Sequence, residues 1–75
     1  MTDTLAAETI QVRLNGDARE VPAGLTVEGL LAHLSLSPRM VVVEHNGHIL
    51  RREALADAAV REGDTLELVH FVGGG

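Results

Sequence analysis

The sequence predicts an α+β domain in which a mixed β-sheet carries one helix packed across one of its faces. Three observations lead there. Ile10, Val12 and Leu14 alternate with Gln11 and Arg13 near the start of the chain, and Leu66 and Leu68 alternate with Glu67 and Val69 near its end, so two strands each bury one side. Between them Val27, Leu30, Leu31 and Leu34 recur at the spacing of a single apolar helical stripe. Two Asn-Gly dipeptides, at 15–16 and 46–47, stand where strands must reverse. A sheet with one apolar face and a helix with one apolar stripe satisfy each other by packing together, which gives two layers.

Residues 1–8 are small and polar without a period and are expected to form a flexible lead. The first strand is Ile10 to Leu14. Asn15-Gly16 tolerates positive φ at both centres of a type I′ turn and sends the chain back as Ala18 to Val21. Pro22, which has no N–H to give to a ladder, stops that strand. Thr26 is a suitable N-cap, Leu25 and Leu30 have the spacing of a hydrophobic staple, and Glu28 sits where the helix dipole favours an anion. With Pro38 barring continuation, the helix is predicted over 27–35.

Val41 to Val43 reads as a short strand with Val41 and Val43 inside and Val42 outward, and Asn46-Gly47 turns it into Ile49 and Leu50. The alanine-rich stretch Glu53 to Ala59 predicts a brief helical turn, Glu62-Gly63-Asp64 a turn, and Thr65 to Phe71 the closing strand. On that strand Leu66 and Leu68 face one way, and Glu67, Val69 and Phe71 the other. The expected core is Ile10, Val12, Leu30, Leu31, Leu34, Leu66 and Leu68. The folded domain is expected to span 9–71, with 72–75 as a flexible glycine tail.

Composition narrows the possible functions. Seventy-five residues make one domain with a small core. No cysteine is present, which removes disulfides and thiolate zinc sites. The net charge of −5 argues against nucleic acid as a partner. The longest apolar run, Met40 to Val43, is far short of the ~20 residues of a membrane span. Residues 1–9 carry no basic residue and do not read as a secretory signal, so a cytoplasmic location is expected. All six bases are arginine, and without lysine the side chains offer no amine for an isopeptide bond.

No catalytic constellation or nucleotide-binding loop appears at useful spacing. His45 and His48 flank a turn but lack a third ligand, so no metal site is expected and a solvated turn is the simpler account. His33 reads as helix surface, and His70 stands beside the tail. The informative segment is the end itself. Phe71, the sole aromatic residue, lies on the non-core face of the last strand and runs through Val72 into Gly73, Gly74 and Gly75. Glycine has no packing value and maximal backbone entropy. It does let bare backbone thread a narrow channel, and it leaves the terminal carboxylate sterically open. With no cysteine available, a sulfur carried by this chain would sit on that carboxylate as a thiocarboxylate.

Over residues 10–75 the chain resembles the ThiS family, the ubiquitin-like sulfur carriers of thiamine biosynthesis. The resemblance rests on Leu14-Asn15-Gly16, Val21-Pro22-Ala23-Gly24-Leu25-Thr26-Val27, Leu30-Leu31, Val43-Glu44-His45-Asn46-Gly47 and Glu62-Gly63-Asp64. Above all it rests on Leu66-Glu67-Leu68-Val69-His70-Phe71-Val72-Gly73-Gly74. The eight-residue lead is longer than in many members. The resemblance implies a β-grasp (ubiquitin-like) roll with the first and last strands paired at the sheet centre. It implies a protein co-substrate, not an enzyme, with no catalytic residues and no cofactor of its own. A ThiF-type adenylyltransferase would use MgATP to adenylate the Gly75 carboxylate. A cysteine desulfurase or other donor would convert it to the thiocarboxylate, and a ThiG-type thiazole synthase would take the sulfur. Gly73 and Gly74 would thread the channel, and Val69, Phe71 and Val72 would dock on the partner.

Other readings share the fold. The small subunit of molybdopterin synthase is one, although such proteins typically carry serine or another residue before two glycines, so that this glycine end favours thiamine. A sulfur carrier for cysteine synthesis, a protein modifier, and a plain β-grasp interaction module with an inert tail are the others.

Overall fold

The computed structural model describes residues 8–71. In chain order they form β1 (Thr9–Leu14), β2 (Asp17–Pro22), α1 (Val27–His33), β3 (Val41–His45), β4 (His48–Leu50) and β5 (Thr65–His70), with 3₁₀ turns at Pro38–Met40 and Arg52–Ala54. The strands make one mixed sheet in the order β2-β1-β5-β3-β4. The first and last strands thus lie side by side at its centre, parallel, with Arg13 opposite Thr65 and Leu14 opposite Leu66. The other pairings are antiparallel. This is the β-grasp arrangement that the resemblance implies. Among the described residues no helix is long and apolar enough to cross a membrane.

Both Asn-Gly turns take the expected conformation. Asn15 and Gly16 have φ of 51° and 88°, and Asn46 and Gly47 have 50° and 88°, the paired left-handed values of a type I′ turn. The two asparagine side chains also tie both turns to β5. Asn15 Oδ1 accepts the Leu68 N–H at 2.7 Å, and Asn46 Oδ1 accepts the Thr65 N–H at 2.8 Å. β2 runs one residue further than predicted, because Pro22 pairs with Thr9 at the end of an edge strand, where no donor is required.

The N-terminus of α1 is satisfied from two sides. Thr26 Oγ1 accepts the Gly29 N–H at 3.1 Å, as its N-cap position predicts. The Val27 and Glu28 N–H groups donate to the carbonyls of Ala58 and Leu55 at 2.8 and 3.0 Å. The alanine-rich stretch makes the predicted helical turn only in its first part, one residue earlier than expected. It is 3₁₀ only over Arg52–Ala54, then crosses the helix start and bridges Thr26 at Ala59. Free helix donors attract those carbonyls, and the crossing buries Leu55 and Val60. The helix also ends earlier than 35. Ser35 is left-handed at φ 62°, with its N–H on Ala32 O and the Leu36 N–H on Leu31 O, the two bonds of a Schellman motif. Pro38 forbids continuation; the fold-back of Leu36 sets the stop.

Val12, Leu30, Leu31 and Leu66 are buried as predicted, together with Leu14, Val21, Val27, Val41, Val43, Leu55 and Val60. Ile10, Leu34 and Leu68 lie only partly buried at the margin of this cluster. Leu34 caps the end of the helix, and Leu68 extends past the last residue of β1, so each lacks a neighbour on one side.

Candidate functional site

The face of the sheet turned away from α1 carries the surface next to the tail. Val42 stands opposite Val69 in the β3–β5 ladder, and Glu44 opposite Glu67 two pairs further along, the next pair on this face. Val69 is 61% exposed, Phe71 49% and Ile49 71%, while Val42 is half-buried. A single-helix sheet covers one face only, so outward apolar residues at this end stay open to a partner. The paired glutamates close the apolar patch on one side. On the other, the Phe71 N–H donates to Met40 O at 2.8 Å, so β5 stays tied to the sheet up to the residue before the tail. Val69 and Phe71 lie as the alternation of β5 predicts. Val72, Gly73, Gly74 and Gly75 lie outside the described residues.

At the other end of β5, Asp64 gathers the turns into one network. Its Oδ2 accepts the Arg61 N–H at 2.9 Å and lies 2.8 Å from His45 Nε2, and its Oδ1 accepts the Asn46 side-chain amide at 3.1 Å. Asn46 completes the link through its N–H on Thr65 O at 2.8 Å. Burial pushes the Asp64 carboxyl up, but the bonds from His45, Arg61 and Asn46, with the charge of His45, together hold it below the ordinary carboxylate range. His45 is therefore not the solvated turn residue predicted from its neighbours: its side chain is only 16% exposed and faces Asp64. The signal available in the sequence was the match of Asn46 and Asp64 to two turns, but nothing in the spacing joins them. His33, His48 and His70 are exposed, and among the described residues no group of three metal-ligating side chains comes together.

The arrangement is thus an anchored strand that delivers its end beside an open apolar face. A family model described as the ThiS family matches residues 12–75. The sulfur carrier protein ThiS of Bacillus subtilis (strain 168) is 40% identical over 50 residues, covering 67% of this chain and 76% of that protein. A thiazole synthase of Paramagnetospirillum magneticum is 45% identical over 62 residues, 83% of this chain, and this chain spans only 19% of that relative's length. The crystal structure of the thiamine biosynthesis protein ThiS from Geobacter metallireducens matches with a TM-score of 0.75 at 36% identity, covering 88% of this chain and 100% of that one.

Proposed function

The chain belongs to the ThiS family, and on that premise we propose that it is a sulfur carrier protein of thiamine biosynthesis, a co-substrate whose Gly75 carboxylate is the reacting group. A carboxylate is a poor electrophile. A ThiF-type adenylyltransferase joins it to the α-phosphorus of ATP, releasing pyrophosphate, and the resulting acyl-adenylate has AMP as a good leaving group. Neutralising phosphate charge in that step is work for magnesium and basic residues of the enzyme. The terminal sulfur of a persulfide, carried by a cysteine desulfurase or another donor, attacks the acyl carbon and displaces AMP. A second thiol then cleaves the S–S bond, becoming part of a disulfide and leaving the thiocarboxylate. A thiazole synthase takes the sulfur from there.

The observation that carries this reading is that the family match runs through Gly73 and Gly74 to Gly75, the part of the chain where the chemistry would occur. A second supports the last partner: a stretch resembling this chain makes up about a fifth of a protein named thiazole synthase. Val69 and Phe71, on the open face that leads into the tail, are suited to dock on the adenylating enzyme, with Val72 continuing the contact.

The test is the intact mass of the protein after incubation with the adenylating enzyme, MgATP and sulfide, in which hydrosulfide displaces AMP directly and no redox step is needed. The full chain is expected to gain the oxygen-to-sulfur increment. Deleting Gly74 and Gly75 is expected to leave thermal stability unchanged and abolish the increment. A truncated chain that still acquires sulfur, or a full chain that never does, refutes the reading.

A further inference from the structure

β4 spans only His48–Leu50 and pairs with Val43, Glu44 and His45. Val41 and Val42 therefore have β5 on one side and no strand on the other. Met40 turns its carbonyl to the Phe71 N–H, so by strand alternation Val41 directs its own N–H and C=O toward that open edge. The edge forms the floor of a groove of about 240 Å³ whose apolar walls include Val42, Ile49 and Phe71 and whose charged lining is Arg39 and Arg52. Each arginine is placed by a 3₁₀ turn, Pro38–Met40 on one side and Arg52–Ala54 on the other, and both are exposed.

We propose that this groove receives an extended acidic segment of the adenylating enzyme, with a carboxylate set between apolar side chains, and so orients the tail toward the channel. The proposal rests on the sulfur-carrier reading and adds to it the chemistry of the contact. Charge complementarity selects the occupant. The chain has eleven acids and six arginines; Arg39 and Arg52 line this groove, whose lining holds no acidic residue, while Arg52 also borders a neighbouring depression with Arg51, Glu28 and Glu53. Among the described residues the one ion pair is His45 with Asp64, so neither Arg39 nor Arg52 is held in an ion pair by them. An acidic segment that enters this groove meets two arginines and no carboxylate in its lining. A guanidinium offers a planar fork that binds a carboxylate through two bonds, and the unpaired backbone of Val41 can extend pairing to the same segment. Because Phe71 belongs both to the groove and to the root of the tail, a segment seated there fixes the direction in which the tail leaves.

The experiment measures adenylation of the full chain by its ThiF-type adenylyltransferase with MgATP, as pyrophosphate exchange, for wild type and for the double variant Arg39→Glu with Arg52→Glu. The expected result is a KM for the carrier raised roughly tenfold or more with kcat little changed, and a wild-type KM that rises with added salt while the variant's does not. A parallel Arg39→Lys with Arg52→Lys variant, which keeps the charge and loses the fork, is expected to fall between them. Thermal midpoints should be unchanged, since neither side chain is buried. A variant KM within about twofold of wild type and a wild-type KM indifferent to salt would overturn the groove's role while leaving the sulfur-carrier reading intact. Self-association that the charge reversal abolishes without altering KM would assign the groove to a second copy and also overturn it. A wild-type chain that is never adenylated would defeat the sulfur-carrier reading, and the groove proposal with it.

Discussion

Replacing Asp64 by Asn keeps the shape of the side chain and removes its charge and one of its two acceptor oxygens. In the native protein those oxygens take the Arg61 N–H at 2.9 Å, the Asn46 amide at 3.1 Å and His45 Nε2 at 2.8 Å. Hydrogen bonds to an ionised group are worth about 1.5–3 kcal/mol each when enclosed. Asn retains one acceptor and the freed donors are near enough to the surface to find water, so the expected loss is about 1–3 kcal/mol. A chain of this length has about 4–11 kcal/mol in total. The melting temperature should therefore fall by about 4–8 °C for each kcal/mol lost.

The pH dependence has a definite sign. The folded-state pKa of Asp64 lies below its unfolded value, so the stabilisation is present above the unfolded pKa and is lost as pH falls through the folded one. Urea unfolding of wild type and Asp64→Asn from neutral pH down to about pH 3 is the assay; the unfolded carboxylate titrates near pH 4. The gap between the two midpoints should be widest near neutrality and shrink in acid. Equal midpoints at neutral pH, or a gap that stays constant into acid, would refute the account of Asp64 as the anchor of β5.

Leu31→Ala, at a fully buried position on the helical stripe, should cost about 2–5 kcal/mol, read as a lowered urea midpoint, and an unchanged midpoint would remove Leu31 from the core. Phe71→Ala should leave thermal stability nearly unchanged, since the ring is half exposed, yet weaken the complex with the adenylating enzyme by ~1–3 kcal/mol in calorimetry. Undiminished binding would remove Phe71 from the docking surface.

Local rules determine much of this protein, and those parts were legible in the residues. Asn15-Gly16 and Asn46-Gly47 set their turns because positive φ at two successive positions is a property of those residues themselves. Thr26 caps α1, and the alternation of β1 and β5 assigns each side chain to a face, including Val69 and Phe71 to the open one, because strand period and capping are decided within a few bonds. The glycine end likewise stood out by composition, and with it the resemblance to the ThiS family.

The remaining features depend on groups distant along the chain. The path of the alanine-rich stretch is held by bonds to the first N–H groups of a helix about thirty residues earlier and to the carbonyl of Leu25, and along that path Leu55 and Val60 join the core. His45 acquires a partner nineteen residues away, across two turns that no spacing rule connects. The open edge of β3 exists because β4 stops after three residues, and it lies beside Phe71 because β5 is inserted between β1 and β3. Periodicity specifies which way a side chain points. Which strand lies next to it, and where that strand ends, follows from packing the whole sheet against one helix.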